Sequence, residues 1–202
     1  MQSLSRVVLR FTFVARALIS LAIALMLANA PPTFIGIGVP FLAFAFADGT
    51  LAIVMASLAF NTPELRGRFV ALALLDGIVL LVAGVTLVMG SGLVDPDLLL
   101  APFIGIAATC FSVVGIVHVI VARWLHQRLG RNVLSLALVI ASVASAALGV
   151  AAVFMPPNAG LAKQLLLVSV LLQGLALLLP AAYSWPSVAA TQHAQGRATS
   201  MH

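Results

Sequence analysis

An all-α integral membrane protein, built as three helical hairpins with six transmembrane helices, is the fold class that three observations predict. The first is composition: of 202 residues, 63% are hydrophobic and only 7% charged. A water-exposed domain of this length carries roughly 25% charged residues, so this chain has too little polar surface to cover one. The second is six long apolar segments, each near or above the ~20 residues that cross about 30 Å of hydrocarbon as a helix. The third is a spacing. Ala17, Ala24 and Pro31 lie seven apart and Gly49 follows 18 later; Ser142, Gly149, Pro156 and Gly174 repeat that pattern. Gly77 and Gly84 begin it a third time and Gly115 closes it, with six residues inserted between. An internal repeat of this kind sets the architecture before any fold is named.

The apolar segments run over about 12–30, 34–60, 69–92, 98–122, 132–155 and 162–184. Residues 1–11 precede them as a cytoplasmic segment, and 12–185 form one membrane domain of hairpins at about 12–60, 69–122 and 132–184. Barrel strands alternate polar and apolar residues, and these segments do not. Helices also satisfy their own backbone hydrogen bonds, as a bilayer demands. Pro31-Pro32-Thr33 and Pro156-Pro157-Asn158 make the outside turns, where proline stops each preceding helix. Asn61-Thr62-Pro63 ends the second helix, and Gly130 lies in the fourth loop. Residues 186–202 are small and polar and read as a disordered cytoplasmic tail.

The first helix invites a rival reading. Arg6, Arg10 and Arg16 precede an apolar run ending in Ala28-Asn29-Ala30, which resembles a leader-peptidase site. Pro31 would follow the scissile bond, and the segment fits the repeat, so a retained helix is the better reading. Cys110 is the single cysteine, which excludes an internal disulfide and leaves a small apolar filler.

Charge orients the chain. Arg6, Arg10, Arg66, Arg68, Arg123, Arg128, Arg131 and Arg197 mark one side; the other has Lys163, Asp95 and Asp97. By the positive-inside rule both termini are cytoplasmic. The same arginines offer a surface to anionic lipid headgroups. A nucleic-acid partner is not expected, because no folded soluble domain carries the charge. Trp124, Tyr183 and Trp185 fall at helix ends as interfacial anchors. His193 and His202 in the tail are too sparse for a metal site, and Glu64 beside Arg66 and Arg68 is a solvated loop residue.

Residues seven apart fall on one face of a helix. Ala17 with Ala24, Gly77 with Gly84, and Ser142 with Gly149 therefore form smooth stripes, and Gly49, Gly115 and Gly174 hold the matching place in each second helix. Such stripes let membrane helices approach closely, where dispersion and backbone contacts replace the hydrophobic effect. Packing is the expected role of all nine.

Three charges are predicted inside the hydrocarbon: Asp48 near the middle of helix 2, and Arg16 and Asp76 about two turns in from the cytoplasmic side. Ionisable residues at such depth are costly and mark candidate functional positions. Arg16 and Asp76 are equivalent in the repeat, which predicts an ion pair that an exchange of the two charges would preserve. The competing reading is that Arg16 snorkels to the headgroups. Asp48 has the sister positions Val114 and Gln173 and no cation at its own depth, although Arg16, roughly two turns closer to the cytoplasm, could reach partway. Without a partner it is expected to be neutral and to donate a hydrogen bond, with Gln173 as a candidate acceptor. The functional alternative is a proton-carrying carboxyl. His118, a turn or so above Arg123, reads as an interfacial histidine with a water or carbonyl partner in preference to a pH sensor.

The stretches Arg16-Ala17-Leu18-Ile19, Ala47-Asp48-Gly49-Thr50, Leu75-Asp76-Gly77-Ile78 and Val114-Gly115-Ile116-Val117, set in repeated hairpins over about residues 12–185, resemble the HdeD-type acid-resistance membrane proteins. Ala17 and Ser142 stand where that family usually has glycine, and the middle hairpin is six residues longer near Asp95-Pro96-Asp97. The resemblance implies a bacterial inner-membrane protein linked to survival at low pH. It brings no reaction and no catalytic residues. No metal-ligand cluster, nucleophile–base pair or phosphate loop is present in the sequence, so no cofactor and no enzymatic activity are expected. Two function classes follow: a non-enzymatic protein of acid or envelope stress, acting through packing, lipids, its own copies or other membrane proteins; or a small proton-linked transporter or channel using Asp48.

Overall fold

The computed structural model describes residues 2–61, 67–92, 99–129, 133–154 and 158–182; within these, side chains are described except at 2–9, 122, 124–138, 153 and 179–182. Six helices follow one another: α1 (Gln2–Asn29), α2 (Phe34–Phe60), α3 (Arg68–Ser91), α4 (Leu100–Leu129), α5 (Val133–Val153) and α6 (Ala159–Ala182). Five contain stretches long and apolar enough to cross a membrane; in α5 the described apolar stretch is Val139–Ala152. The chain is thus a multi-pass helical membrane protein. Two helices outrun their apolar segments: α1 begins at Gln2 rather than near residue 12, and α4 continues to Leu129 rather than ending near 122. Helical hydrogen bonding does not stop where hydropathy falls, so the backbone carries both helices past the apolar stretch. The inserted loop around Asp95-Pro96-Asp97, Glu64, Arg66, Pro156-Pro157, Tyr183, Trp185 and the tail lie outside the described residues, as does the side chain of Trp124.

Each helix packs on its chain neighbours, and α6 returns to α1, closing a ring. The helices α2, α4 and α6 also touch one another across the middle. They form an inner triangle; α1, α3 and α5 each sit outside, in the angle between two of them.

Small residues create the closest approaches. A Cβ on Gly77 would lie 2.7 Å from the Gly49 carbonyl oxygen, so α2 and α3 meet backbone to backbone. A Cβ on Gly115 would meet the Ala146 backbone at 2.7 Å, and one on Gly149 would meet the Ser112 nitrogen at 2.6 Å, which joins α4 to α5. Gly174 faces Ala17, Ser20 and Leu21 and joins α6 to α1. Gly84 lies against Ala45 and Phe46 of α2, while Ala24 and Ser142 are also buried. The exposed positions are apolar instead. Leu18 and Leu25 follow Ala17 and Ala24, and Leu75, Val82 and Met89 run along α3. Such a surface would aggregate in water but is an ordinary face toward lipid.

Turn chemistry fixes the helix ends. Thr33 caps α2 by accepting a hydrogen bond from the Gly36 amide at 3.1 Å. A side chain at Gly36 would collide with the Pro31 carbonyl, so the turn admits only glycine there. Asn158 caps α6 by accepting from the Leu161 amide at 3.1 Å. Lys163, the cation on the otherwise arginine-free side, donates to the Ala28 and Ala30 carbonyls at 3.0 and 2.6 Å. It caps the C-terminal end of α1 from a neighbouring helix, where a cation complements the helix dipole. Lys163→Met is expected to cost about 1 kcal/mol. Thermal unfolding in detergent or nanodiscs should show a small drop, and an unchanged midpoint would mean that the cap contributes nothing.

Candidate functional site

Two dipeptides position the site. Asp48-Gly49 lies on α2 and Asp76-Gly77 on α3. Because the two glycines bring the helices into backbone contact, the preceding aspartates arrive near one another inside the bundle. Two buried carboxylates repel unless a cation joins them. Arg16 of α1 supplies it. Its Nε donates to Asp48 Oδ1 at 2.7 Å and its Nη2 to Asp48 Oδ2 at 2.7 Å, a two-pronged pair. The same Nη2 donates to Asp76 Oδ2 at 2.6 Å. A planar guanidinium suits this forked arrangement, which a lysine could not reproduce. The side chains are 1% (Arg16), 0% (Asp48) and 2% (Asp76) exposed.

Two further residues complete the cluster. Gln173 of α6 donates from Nε2 to Asp48 Oδ2 at 3.2 Å. His118 of α4 places Nε2 3.4 Å from Asp76 Oδ2 and is 12% exposed. Five helices therefore contribute to one polar layer. Ser20 Oγ donates to the Arg16 carbonyl at 3.0 Å and satisfies itself within α1.

Apolar clusters bracket this layer on both sides. One contains Ile37, Phe41, Phe44, Phe103, Phe111 and Val114, with Phe44 and Phe111 stacked at 5.7 Å between ring centroids. The other contains Phe13, Ala17, Met55, Phe69, Ala73 and Leu177 and lies toward the helix ends that carry Arg10, Arg68 and Arg123. Beside the second cluster is a cavity of about 30 Å³ reached by Phe13, Arg16, Phe69, Asp76 and His118.

Three expectations change. The Arg16–Asp76 pair is present, but Arg16 grips Asp48 as well, so the pair is a triad and Arg16 turns inward rather than to the headgroups. Asp48 is not partnerless; with a guanidinium on both oxygens it accepts from Gln173 instead of donating to it. His118 contacts a buried carboxylate, because α4 continues to Leu129 and leaves the histidine about three turns from the helix end. The signal that could have found the triad is the repeated Asp-Gly pair, in which each acid sits beside a helix-contact glycine. Cys110 is buried in the apolar core.

Among the described residues, no group of three or more His, Cys, Asp or Glu side chains is placed to hold a metal ion. Comparison with family models, curated proteins and solved structures gave no match.

Proposed function

We propose that this chain is a non-enzymatic protein of acid or envelope stress in a bacterial inner membrane, in which the buried ion cluster locks the helices together. The observation that carries this reading is Asp48. It is fully buried, both its oxygens are held by Arg16, and Gln173 takes a further lone pair. A carboxylate engaged on every side suits a structural tie better than a carrier that must release and rebind protons. This favours the stress reading over a proton-linked transporter working through Asp48. The acid link itself rests on the resemblance to HdeD-type proteins.

The same proposal makes the helices six membrane spans in three repeated hairpins, α1–α2, α3–α4 and α5–α6, with both termini cytoplasmic. Supporting the repeat, Gly49 meets Gly77, Leu80 and Leu81, while Gly174 meets the matching Ala17, Ser20 and Leu21. The arginine asymmetry supports the orientation. The apolar outer faces fit a lipid bilayer, and the arginine side fits anionic headgroups. Homo-oligomers and other membrane proteins are the partner classes this reading allows.

The test is an acid challenge of a strain lacking the gene. Survival is expected to fall and to return with the wild-type gene. Equal survival with and without it would remove the acid link. In parallel, liposomes holding a pH dye should acidify no faster with the protein than without it. A proton flux that Asp48→Asn abolishes would replace this reading with the transporter.

A further inference from the structure

With both carboxyls ionised, the cluster sets two negative charges, on Asp48 and Asp76, against the one positive charge on Arg16. It is one cation short in a region where an unbalanced charge is expensive. Asp76 Oδ1 is buried and has no hydrogen-bond partner among the described residues. Asp76 lines the cavity of about 30 Å³, and so does His118, the one member of the cluster with appreciable exposure. A cavity of that size exceeds the roughly 10–15 Å³ that one water needs. Water there would find Asp76, Arg16 and His118 as polar neighbours.

We infer that this cavity and the His118–Asp76 pair form a proton-binding site, entered through water from the arginine-bearing side, at which the proton supplies the missing fourth charge. Histidine is the side chain whose ordinary titration spans the range near neutrality. With Nε2–H directed at Asp76 Oδ2, the lone pair on the other ring nitrogen takes the proton from hydronium. One N–H bond forms, one O–H bond breaks, and water is returned. The imidazolium then neutralises the cluster and donates to Asp76 with a full charge behind it.

The groups around His118 are few. Asp76 faces it from α3, and Arg16 from α1 lies on the far side of that carboxylate. Asp48 of α2 and the neutral Gln173 of α6 stand behind Arg16. The described residues of α5 contain no titratable side chain, and Cys110 and the exposed Arg123 are on α4 itself. Beyond the cluster, Phe41, Phe44 and Phe111 close the opposite side with ring centroids 5.7 and 5.9 Å apart. The site is a dead end: it binds a proton from one side without passing it to the other. This inference stands apart from the acid-stress proposal, since it needs only the geometry.

The test uses the full chain in lipid nanodiscs with nitrogen-15-labelled histidine, titrated from about pH 8 to about pH 5. The ring nitrogen shifts report the charge, and His118→Gln identifies the signal. The wild-type ring is expected to be charged at the acidic end. Asp76→Asn, which removes the carboxylate 3.4 Å from the ring, should reduce the charged fraction at the acidic end. Ala73→Val, which fills the cavity from α3 and leaves every charge in place, should also weaken uptake. If Asp76→Asn fails to fold, Ala73→Val decides. A neutral wild-type ring at the acidic end, or a charged ring that the folded variants do not weaken, would overturn the site.

Discussion

Arg16→Met is expected to all but eliminate folded protein from the membrane fraction. Methionine keeps much of the length and apolar stem of arginine but removes the guanidinium that bonds both Asp48 and Asp76. Two carboxylates, 0% and 2% exposed, would then face each other with no guanidinium between them. Breaking a buried ionic network in this way costs about 3–5 kcal/mol, a large share of the roughly 5–15 kcal/mol that keeps a domain folded. Arg16→Lys should fall between, because one ammonium cannot hold Asp48 with two prongs and reach Asp76 as well. Removing all three charges together, as Arg16→Met with Asp48→Leu and Asp76→Leu, should recover much of the loss, since apolar replacement of a whole buried network is often neutral or better. Exchanging Arg16 and Asp76 should not rescue, although a simple pair would permit it. The exchange would set an aspartate at position 16 against Asp48. Membrane-fraction yield and thermal unfolding of the purified variants check each outcome. A wild-type level of Arg16→Met would show that the cluster does not hold the fold.

Gly115→Leu is expected to force α4 and α5 apart. The new Cβ would sit 2.7 Å from both the nitrogen and Cα of Ala146, and backbone atoms cannot rotate out of the way. Overpacking costs about 1–3 kcal/mol even where side chains can adjust, so this position should exceed the upper end. Gly105→Leu on the same helix is the control, since a Cβ there meets nothing within 4 Å. It should be neutral or slightly stabilising, because glycine is a poor helix former. Similar unfolding midpoints for the two variants would mean that the α4–α5 contact can open at little cost.

Much of the architecture was legible because hydropathy and small-residue spacing act locally. Ala17, Gly49, Gly77, Gly115 and Gly174 could be marked as contact positions from spacing alone, and each is buried at an interface between helices. Which helices they join was not legible. Gly49 of α2 meets Gly77 of α3 rather than α1, and nothing in one helix names its neighbour. The ion cluster was half legible for a similar reason. Depth along the axis brought Arg16 and Asp76 together, but it separated Arg16 from Asp48 by two turns. Helix crossing and the reach of a guanidinium closed that gap. His118 was misplaced because the end of helix 4 was read from hydropathy, while the helix continues to Leu129.

The inward-turned Arg16 has a consequence for biogenesis. Of the six helices α1 is made before the other five, and it carries a charge whose central placement in a membrane helix costs roughly 2.5–3.5 kcal/mol on insertion scales. Its two-pronged partner Asp48 is on the very next helix, so the first two segments can enter the lipid as a neutral unit. Asp76 of α3 likewise meets His118 on the helix that follows it. Gln173 and Lys163, both on the last helix, then bind Asp48 and the end of the first. Of these six helices the last made thus fastens to the first, and a chain truncated before α6 would leave α1 unsealed.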